Sequence, residues 1–423
     1  DDLKKGLEGV LVTESELSKI DGDAGKLVYR GYTIEDLATG ASFEEVLYLL
    51  WHGHLPNAAE LDEFTDAMVE ERHVDDDVMQ TVEQLADADE NPMAALRTAV
   101  SMLSSHDPDA EADPTDLDAN LRKGRRITAK IPTVLAAFAR FRDGKDAVEP
   151  REDLSHAANF LYMLNDEEPD EVLAETFDMA LVLHADHGLN ASTFSAMVTS
   201  STLSDLYSAV TSAIGTLSGS LHGGANANVM RMLKNVDDSD MDPTEWVEDA
   251  LDRGERVAGF GHRVYNVKDP RAKILGAKSE ALGEAAGDMK WYEMSVAIEE
   301  YIGEEKGLAP NVDFYSASTY YQMGIPHLRR LARRRLDRAR PRTVRGQPPH
   351  PPPRPLHRRE GSGAPVGRRA IGDASHATFF RPIPPERCVV PRDRSRVRPL
   401  CRTRAAFSRL RQRPRRRRSR VRP

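Results

Sequence analysis

The chain has 423 residues, of which 58 are Lys or Arg and 68 are Asp or Glu, for a formal net charge of −10. That length supports two or three domains with substantial cores, and so an enzyme with a cleft between domains. The two cysteines, Cys388 and Cys401, lie near the end, and residues 1–326 contain none, which excludes a disulfide framework or a cysteine-based metal site there.

No run of 18 apolar residues occurs, and the opening Asp-Asp-Leu-Lys-Lys does not read as a secretory signal. A cytoplasmic protein without a membrane span is expected. The net charge conceals two dissimilar parts. Residues 327–423 hold 31 Arg, no Lys and five acidic residues, a net of +26, which leaves 27 basic and 63 acidic residues in 1–326, a net of −36. Runs such as Asp75-Asp76-Asp77 and Asp237-Asp238-Ser239-Asp240 sit among periodic apolar positions, so they read as a solvated acidic surface. Such a surface repels itself at low salt and is screened at high salt, which points to salt adaptation.

Strand signals are confined to residues 9–32, where Val10, Leu11 and Val12 precede a turn-rich Asp21-Gly22-Asp23-Ala24-Gly25 and then Leu27-Val28-Tyr29. A short hairpin is predicted there. Ser42-Phe43-Glu44-Glu45 is a capping box ahead of Val46, Leu47, Leu49 and Leu50, and Gly53 with Pro56 supplies the stop. Helical periodicity continues over roughly 59–72, 77–86, 93–104, 117–141, 152–164 and 170–183, which makes the fold class all-α. Between Asp186 and Arg231 the only charged residue is Asp205, and Leu203, Leu206, Tyr207, Val210 and Ile214 recur at helical spacing. A buried core helix is the expectation for that stretch.

Four clusters carry candidate chemistry. LHADHGLNASTF at 183–194 sets His184 and His187 close together on one helical turn, but without the Glu and third ligand of a zinc motif. A polar ligand contact suits His187 better than a metal. TLSGSLHGGANANVMRML at 216–233 flanks His222 with glycines and leads into a helix near Ala225. RVAGFGHRVYNVKDPRAKIL at 256–275 joins a Gly-rich loop to His262, Arg263 and Arg271, with Asp269-Pro270-Arg271 reading as a turn that feeds a helix and holds a guanidinium as a carboxylate clamp. In APNVDFYSASTYY at 309–321, Asp313 taken alone reads as an N-cap rather than a base. Taken together, two histidines, a carboxylate and an arginine make an acid–base kit for carbon–carbon bond formation.

SLHGGANANVM, GFGHRVYNVKDPR and PNVDFYS resemble, in order and separation, the three signature segments of the citrate synthase family, and the resemblance covers about residues 6–326. It implies a citrate synthase fold with a short N-terminal hairpin, a large helical domain over 1–223 and a small one over 224–324, assembled as a homodimer. The implied reaction condenses oxaloacetate with acetyl-CoA and water to citrate and CoA, the first step of the tricarboxylic acid cycle. The alternative is 2-methylcitrate synthase, which uses propionyl-CoA. By resemblance Asp313 removes the methyl proton, His222 hydrogen-bonds the thioester oxygen, and His262 protonates the oxaloacetate carbonyl. His187 and Arg271 hold the substrate, and Arg256, Val257, Ala258, Gly259, Phe260 and Gly261 with Lys306 lie against CoA. No metal and no cofactor are implied, acetyl-CoA being a substrate, and a nucleic-acid partner follows only if the basic tail is real.

At the end of that resemblance lysine disappears and arginine and proline take over. A one-base shift of reading frame over Ala332 to Arg358 permits RVGGWIAHVLEQYEDNRLIRPRARYTG, which resembles the family's C-terminal segment and restores two arginines where Ala332 and Pro351 now stand. Residues 327–423 are therefore expected to be out of frame. C-terminal peptides from purified active enzyme decide this by mass spectrometry: GWIAHVLEQYEDN supports the shift, and AIGDASHATFFRPIPPER shows the written tail to be real.

Overall fold

Alternating burial along Ser18–Asp21 and Lys26–Tyr29 makes a hairpin, β1 and β2, paired Ser18 to Tyr29 and Asp21 to Lys26. Strand β2 pairs onward with the two-residue β3, Tyr32–Thr33. The computed structural model describes residues 12–219 and 222–325, and every described element lies within Asp1–Val344. The segment 327–423, on which the expectations of a shifted frame and of a nucleic-acid partner fall, lies outside the described residues. Val12 is exposed and outside any strand, and Val10 and Leu11 are not described, so the first strand falls later than the apolar run suggested. Register explains the difference: the Gly22–Gly25 turn fixes which residues face Leu27 and Tyr29, and these select Ser18–Asp21.

From there the described chain is helical, with 15 α-helices beside the one small sheet, as the periodicity predicted. Helix α1 (Ile34–Gly40) is capped by Thr33, and α2 (Phe43–His52) carries the predicted Ser42–Glu45 capping box and ends on Gly53 at φ 86°. The periodic stretches become α3 (Ala58–Glu70), α4 (Asp76–Asp87), α5 (Pro92–Leu103), α6 (Leu117–Arg142), α7 (His156–Asn165) and α8 (Glu171–His184). After them come α9 (Ala191–Ser200), α10 (Leu206–Leu217), α11 (Ala225–Asp238), α12 (Pro243–Asp252), α13 (Pro270–Ala286), α14 (Lys290–Lys306) and α15 (Val312–Gln322).

Two large apolar cores organise most of these helices, and a small third cluster of Ala136, Met163 and Leu164 joins α7 to α6. The first large core joins the hairpin and α1–α3 to α8 and to α11–α15, through residues such as Leu27, Ile34, Leu49, Leu183, Val229, Leu275 and Phe314. The other packs α4, α5, α6 and α10 around Val82, Val100, Phe138 and Tyr207. The uncharged stretch after Asp186 corrects the expectation of a buried core helix. It forms two packed helices, α9 and α10, joined by a turn in which Leu203 takes φ 61° and is 64% exposed. No residue of α9 is buried, and only Tyr207, Ala209 and Ile214 of α10 are. Low charge therefore marks a face rather than a core here.

One half-buried carboxyl makes stability depend on pH. Asp178 on α8 accepts the Phe43 N–H through both oxygens, at 3.2 and 3.1 Å, at the start of α2. Burial pushes its carboxyl up to about 7, Glu44 pushes the same way, and the Phe43 N–H pulls it down. The folded protein thus holds this proton more tightly than the unfolded chain does, so the contribution of Asp178 to stability falls as pH rises from about 4 to about 7. Asp178→Asn keeps an acceptor for Phe43 and removes the charge. Its melting temperature should match that of the parent near pH 4 and exceed it by a growing margin up to pH 8, measured in constant high salt. A difference that does not vary with pH would refute the assignment.

Candidate active site

The site grows from three chain segments that the first core holds together. Helix α8 ends at His184, whose Nδ1 lies 2.7 Å from the Ala180 carbonyl, and the following turn presents His187. The fully buried Tyr29 of β2 donates its hydroxyl to the Asp186 carbonyl at 2.7 Å, which fixes that turn. His187 Nε2 lies 3.2 Å from the hydroxyl of Tyr265, itself only 3% exposed.

The second and third segments are laced to each other. Phe260 and Pro310 form an isolated antiparallel bridge, Gly261 N donates to Ala309 O at 3.0 Å, and Asn311 N donates to Gly259 O at 2.9 Å. Asn311 Nδ2 adds a bond to Gly261 O at 3.0 Å. Glycine is required at 259, because φ is 87° and a Cβ would stand 2.8 Å from both Phe314 Cδ2 and Val229 Cγ2. The N-cap of α15 is Asn311, whose Oδ1 accepts Asp313 N at 3.0 Å. This corrects the reading of Asp313 as a cap: it sits in the first helical turn, with its carboxyl left for other work.

Beyond the lacing, the loop turns back on itself at His262. Its Nδ1 accepts the backbone N–H groups of Val264, at 2.9 Å, and Tyr265, at 3.2 Å. A neutral His262 must then carry its proton on Nε2. The rings of His187 and His262 lie 5.4 Å apart, and Tyr265 packs 4.8 Å from His262. Asp269 caps α13, whose second residue is Arg271. The guanidinium donates through Nε at 3.1 Å and Nη2 at 2.8 Å to the carboxylate, with 6% and 0% of the two side chains exposed. Across the site His222 Nε2 lies 2.8 Å from the hydroxyl of Ser192 on α9.

Burial and this ion pair set the protons. Burial first, and Arg271 second, lower His187 to about 4. Burial lowers His262 as well, with Asp269 opposing and Arg271 adding. Burial raises the Asp313 carboxyl, Asp269 raises it further, and Arg271 and His222 pull it down. His187, His262 and Asp269 bring possible metal ligand atoms within 4.8 Å of one another. The donor set fits a metal poorly, since Asp269 is already neutralised by Arg271 and His262 Nδ1 is taken by two amides. His184, the other histidine of the pair in the 183–194 segment, does not enter that cluster.

Of the residues named from sequence, His187, His262, Arg271 and Asp313 share one electrostatic neighbourhood, and His222 reaches Asp313 through its charge. Residues 257–261 flank it, half-buried, whereas Arg256 and Lys306 are exposed, and no contact among the described residues ties the Lys306 side chain to the site. Tyr265, Ser192 and Asn311 were missed, although Tyr265 lies inside the motif that carries His262.

Comparison with known proteins decides the family. The family described as "Citrate synthase, C-terminal domain" matches residues 6–330. The chain belongs to the citrate synthase family. Citrate synthase of Haloferax volcanii is 80% identical over 326 residues, covering 77% of this chain and 86% of that protein. A 2-methylcitrate synthase of Mycobacterium tuberculosis is 40% identical over 324 residues, covering 77% and 81%. A solved ternary complex of carboxymethyl coenzyme A and oxaloacetate with citrate synthase from Thermoplasma acidophilum superposes with a TM-score of 0.71 at 28% identity, covering 84% of this chain and 99% of that one.

Proposed function

We propose that the chain condenses oxaloacetate with acetyl-CoA and water to citrate and CoA, as a citrate synthase whose chemistry rests on Asp313, His222 and His262. The observation that carries the residue assignment is the laced pair of loops, which brings the Asp313 helix start beside the His262 turn. In this reading the Asp313 carboxylate, its pKa raised by burial, takes a proton from the acetyl methyl. A carboxylate whose pKa is raised is a stronger base than an ordinary one, which favours taking a proton from a weakly acidic methyl. His222, oriented by Ser192, donates to the thioester oxygen and stabilises the enol that forms.

His262 then gives its Nε2 proton to the oxaloacetate carbonyl as the new bond closes, because its Nδ1 is committed to backbone amides. Arg271 and His187 bind the oxaloacetate carboxylates. Arg271 Nε and Nη2 hold Asp269, and among the described residues Nη1 has no acceptor, so it is the donor suited to the substrate. CoA lies along 256–261, with Lys306 at its margin. Residues 224–324 are assigned as a small domain that closes on a large one over 1–223 and excludes water until condensation is complete. Acetyl-CoA is favoured over propionyl-CoA by the 80% identity to a citrate synthase against 40% to a 2-methylcitrate synthase.

Asp313→Ala, His262→Ala and His222→Ala should each lower turnover by roughly 10²–10⁴ with helical circular dichroism retained. The assay is CoA-thiol release with acetyl-CoA and, in parallel, propionyl-CoA. Parental turnover in any of the three would remove that residue from the mechanism, and a preference for propionyl-CoA would replace the substrate.

A homodimer is inferred from the face of α9 and α10, where Val198 is 51% exposed, Leu203 64% and Leu217 38%, with Asp205 the only charged residue nearby in sequence. An apolar face of this kind in a chain so acidic elsewhere suits a second copy of itself. The same acidity predicts a need for salt. Activity, helicity and light-scattering mass should all fall between 3 M and 0.1 M KCl, as the Debye length grows from below about 3 Å to about 10 Å. A flat response would dispose of the salt requirement, and a fully active monomer would dispose of the dimer.

A further inference from the structure

The β1–β2 hairpin touches both halves of the oxaloacetate site. At one end Tyr29 of β2, with no exposed surface, donates to Asp186 O at 2.7 Å and accepts from Asp186 N at 3.2 Å, one residue before His187. Ile20 of β1 adds apolar contact, its Cδ1 standing 3.7 Å from where a Cβ on Gly188 would be. At the other end the turn meets the loop that carries His262. Asn266 N donates to Gly22 O at 3.0 Å, and Asn266 Nδ2 donates to Asp23 Oδ1 at 2.6 Å. A Cβ on Gly22 would stand 1.9 Å from Val264 O and 2.8 Å from Val264 C, while one on Gly25 would meet Val267 Cγ2 at 2.7 Å.

We propose that this hairpin is a positioning strut for catalysis, with Gly22, Asp23 and Asn266 holding the loop that orients His262 at its working distance from His187. The proposal rests on the assignment of His262 given above. Val264 and Tyr265 supply the two amides that His262 Nδ1 accepts, and the residue packed on Gly22 is Val264 itself. A displacement of the turn therefore reaches the imidazole through one backbone segment. Asp23 and Asn266 are both exposed, so their hydrogen bond adds little to global stability, whereas errors of about 1 Å in a reacting group cost up to roughly 10²-fold in rate. The bond also needs no charge on residue 23, because an amide oxygen accepts as a carboxylate does.

The test uses the full-length enzyme in high salt. Gly22→Ala forces Val264 to move and should lower kcat/KM for oxaloacetate by about tenfold or more, and Asp23→Ala by about three- to tenfold. Asp23→Asn should retain activity, and Gly40→Ala, which adds a methyl where nothing lies within 4 Å, should be silent. In Gly22→Ala the acidic limb of the pH profile should also move upward, since an imidazole that loses its two amide donors protonates more readily. Parental kinetics in both Gly22→Ala and Asp23→Ala would overturn the proposal. So would parallel losses of melting temperature and activity in Asp23→Ala, or inactivity of Asp23→Asn, because either makes the turn a structural element only. Parental activity of His262→Ala would instead strike the assignment on which the proposal stands.

Discussion

Everything in the site leans on one buried ion pair. Asp269 and Arg271 lie two residues apart at the start of α13, and their fields reach Tyr29, His184, His187, His262 and Tyr265. A lone charge at that depth would be too costly to keep, and the pair is tolerable because the carboxylate has several partners. Asp269 accepts Nε, Nη2 and the Arg271 backbone N–H at 2.9 Å, the last of these also being the helix cap. Helix formation and cation placement are thus the same event. A proline at the first helical position adds to this by fixing φ where no N–H is needed.

Burial is the main reason the two imidazoles beside the pair stay neutral; Arg271 outweighs Asp269 at His187, and Asp269 outweighs Arg271 at His262. Burial penalises their charged forms, and the guanidinium adds to the penalty for both. Asp269 works the other way, but it is shared with Arg271, so it cannot hold an imidazolium as a free carboxylate would. Neutral rings are what a donor of Nε2–H requires, because a protonated His262 would lose the acceptor that Val264 and Tyr265 use. Nη1 of Arg271 is not committed to Asp269, and under the proposed reading it is the donor that meets a dicarboxylate substrate.

Much of this was legible in the sequence where one local rule governs. The capping box at Ser42–Glu45, the Asp269-Pro270-Arg271 helix start and the order of helices from α3 to α8 follow from side-chain pattern alone. Failures occurred where distant segments decide. Asp313 taken alone looked like a cap because a carboxylate ahead of a helix often is one, but Asn311 caps the helix by accepting the Asp313 N–H, and the bonds of Asn311 to Gly259 and Gly261 hold it in that place. The hairpin was displaced because an apolar run does not reveal its register. Leu203 was counted into a core because spacing cannot say whether an apolar face meets its own chain.

Tyr265 illustrates the same limit within a motif that was recognised. Its hydroxyl meets His187, 78 residues away, while its backbone N–H meets His262, three residues away. The second contact is local and could be inferred from a tight turn, but the first exists only because α8 ends beside that loop. One residue therefore ties both imidazoles, and it does so from a buried position without a charge of its own. A neutral, rigid partner of this kind sets distance without altering the field, so burial first and the ion pair second are left to control protonation while aromatic packing controls geometry. The division explains how histidines 5.4 Å apart can take different roles: Nε2 of His187 faces a hydroxyl, whereas Nδ1 of His262 faces two amides, and the tautomer of His262 follows from its turn.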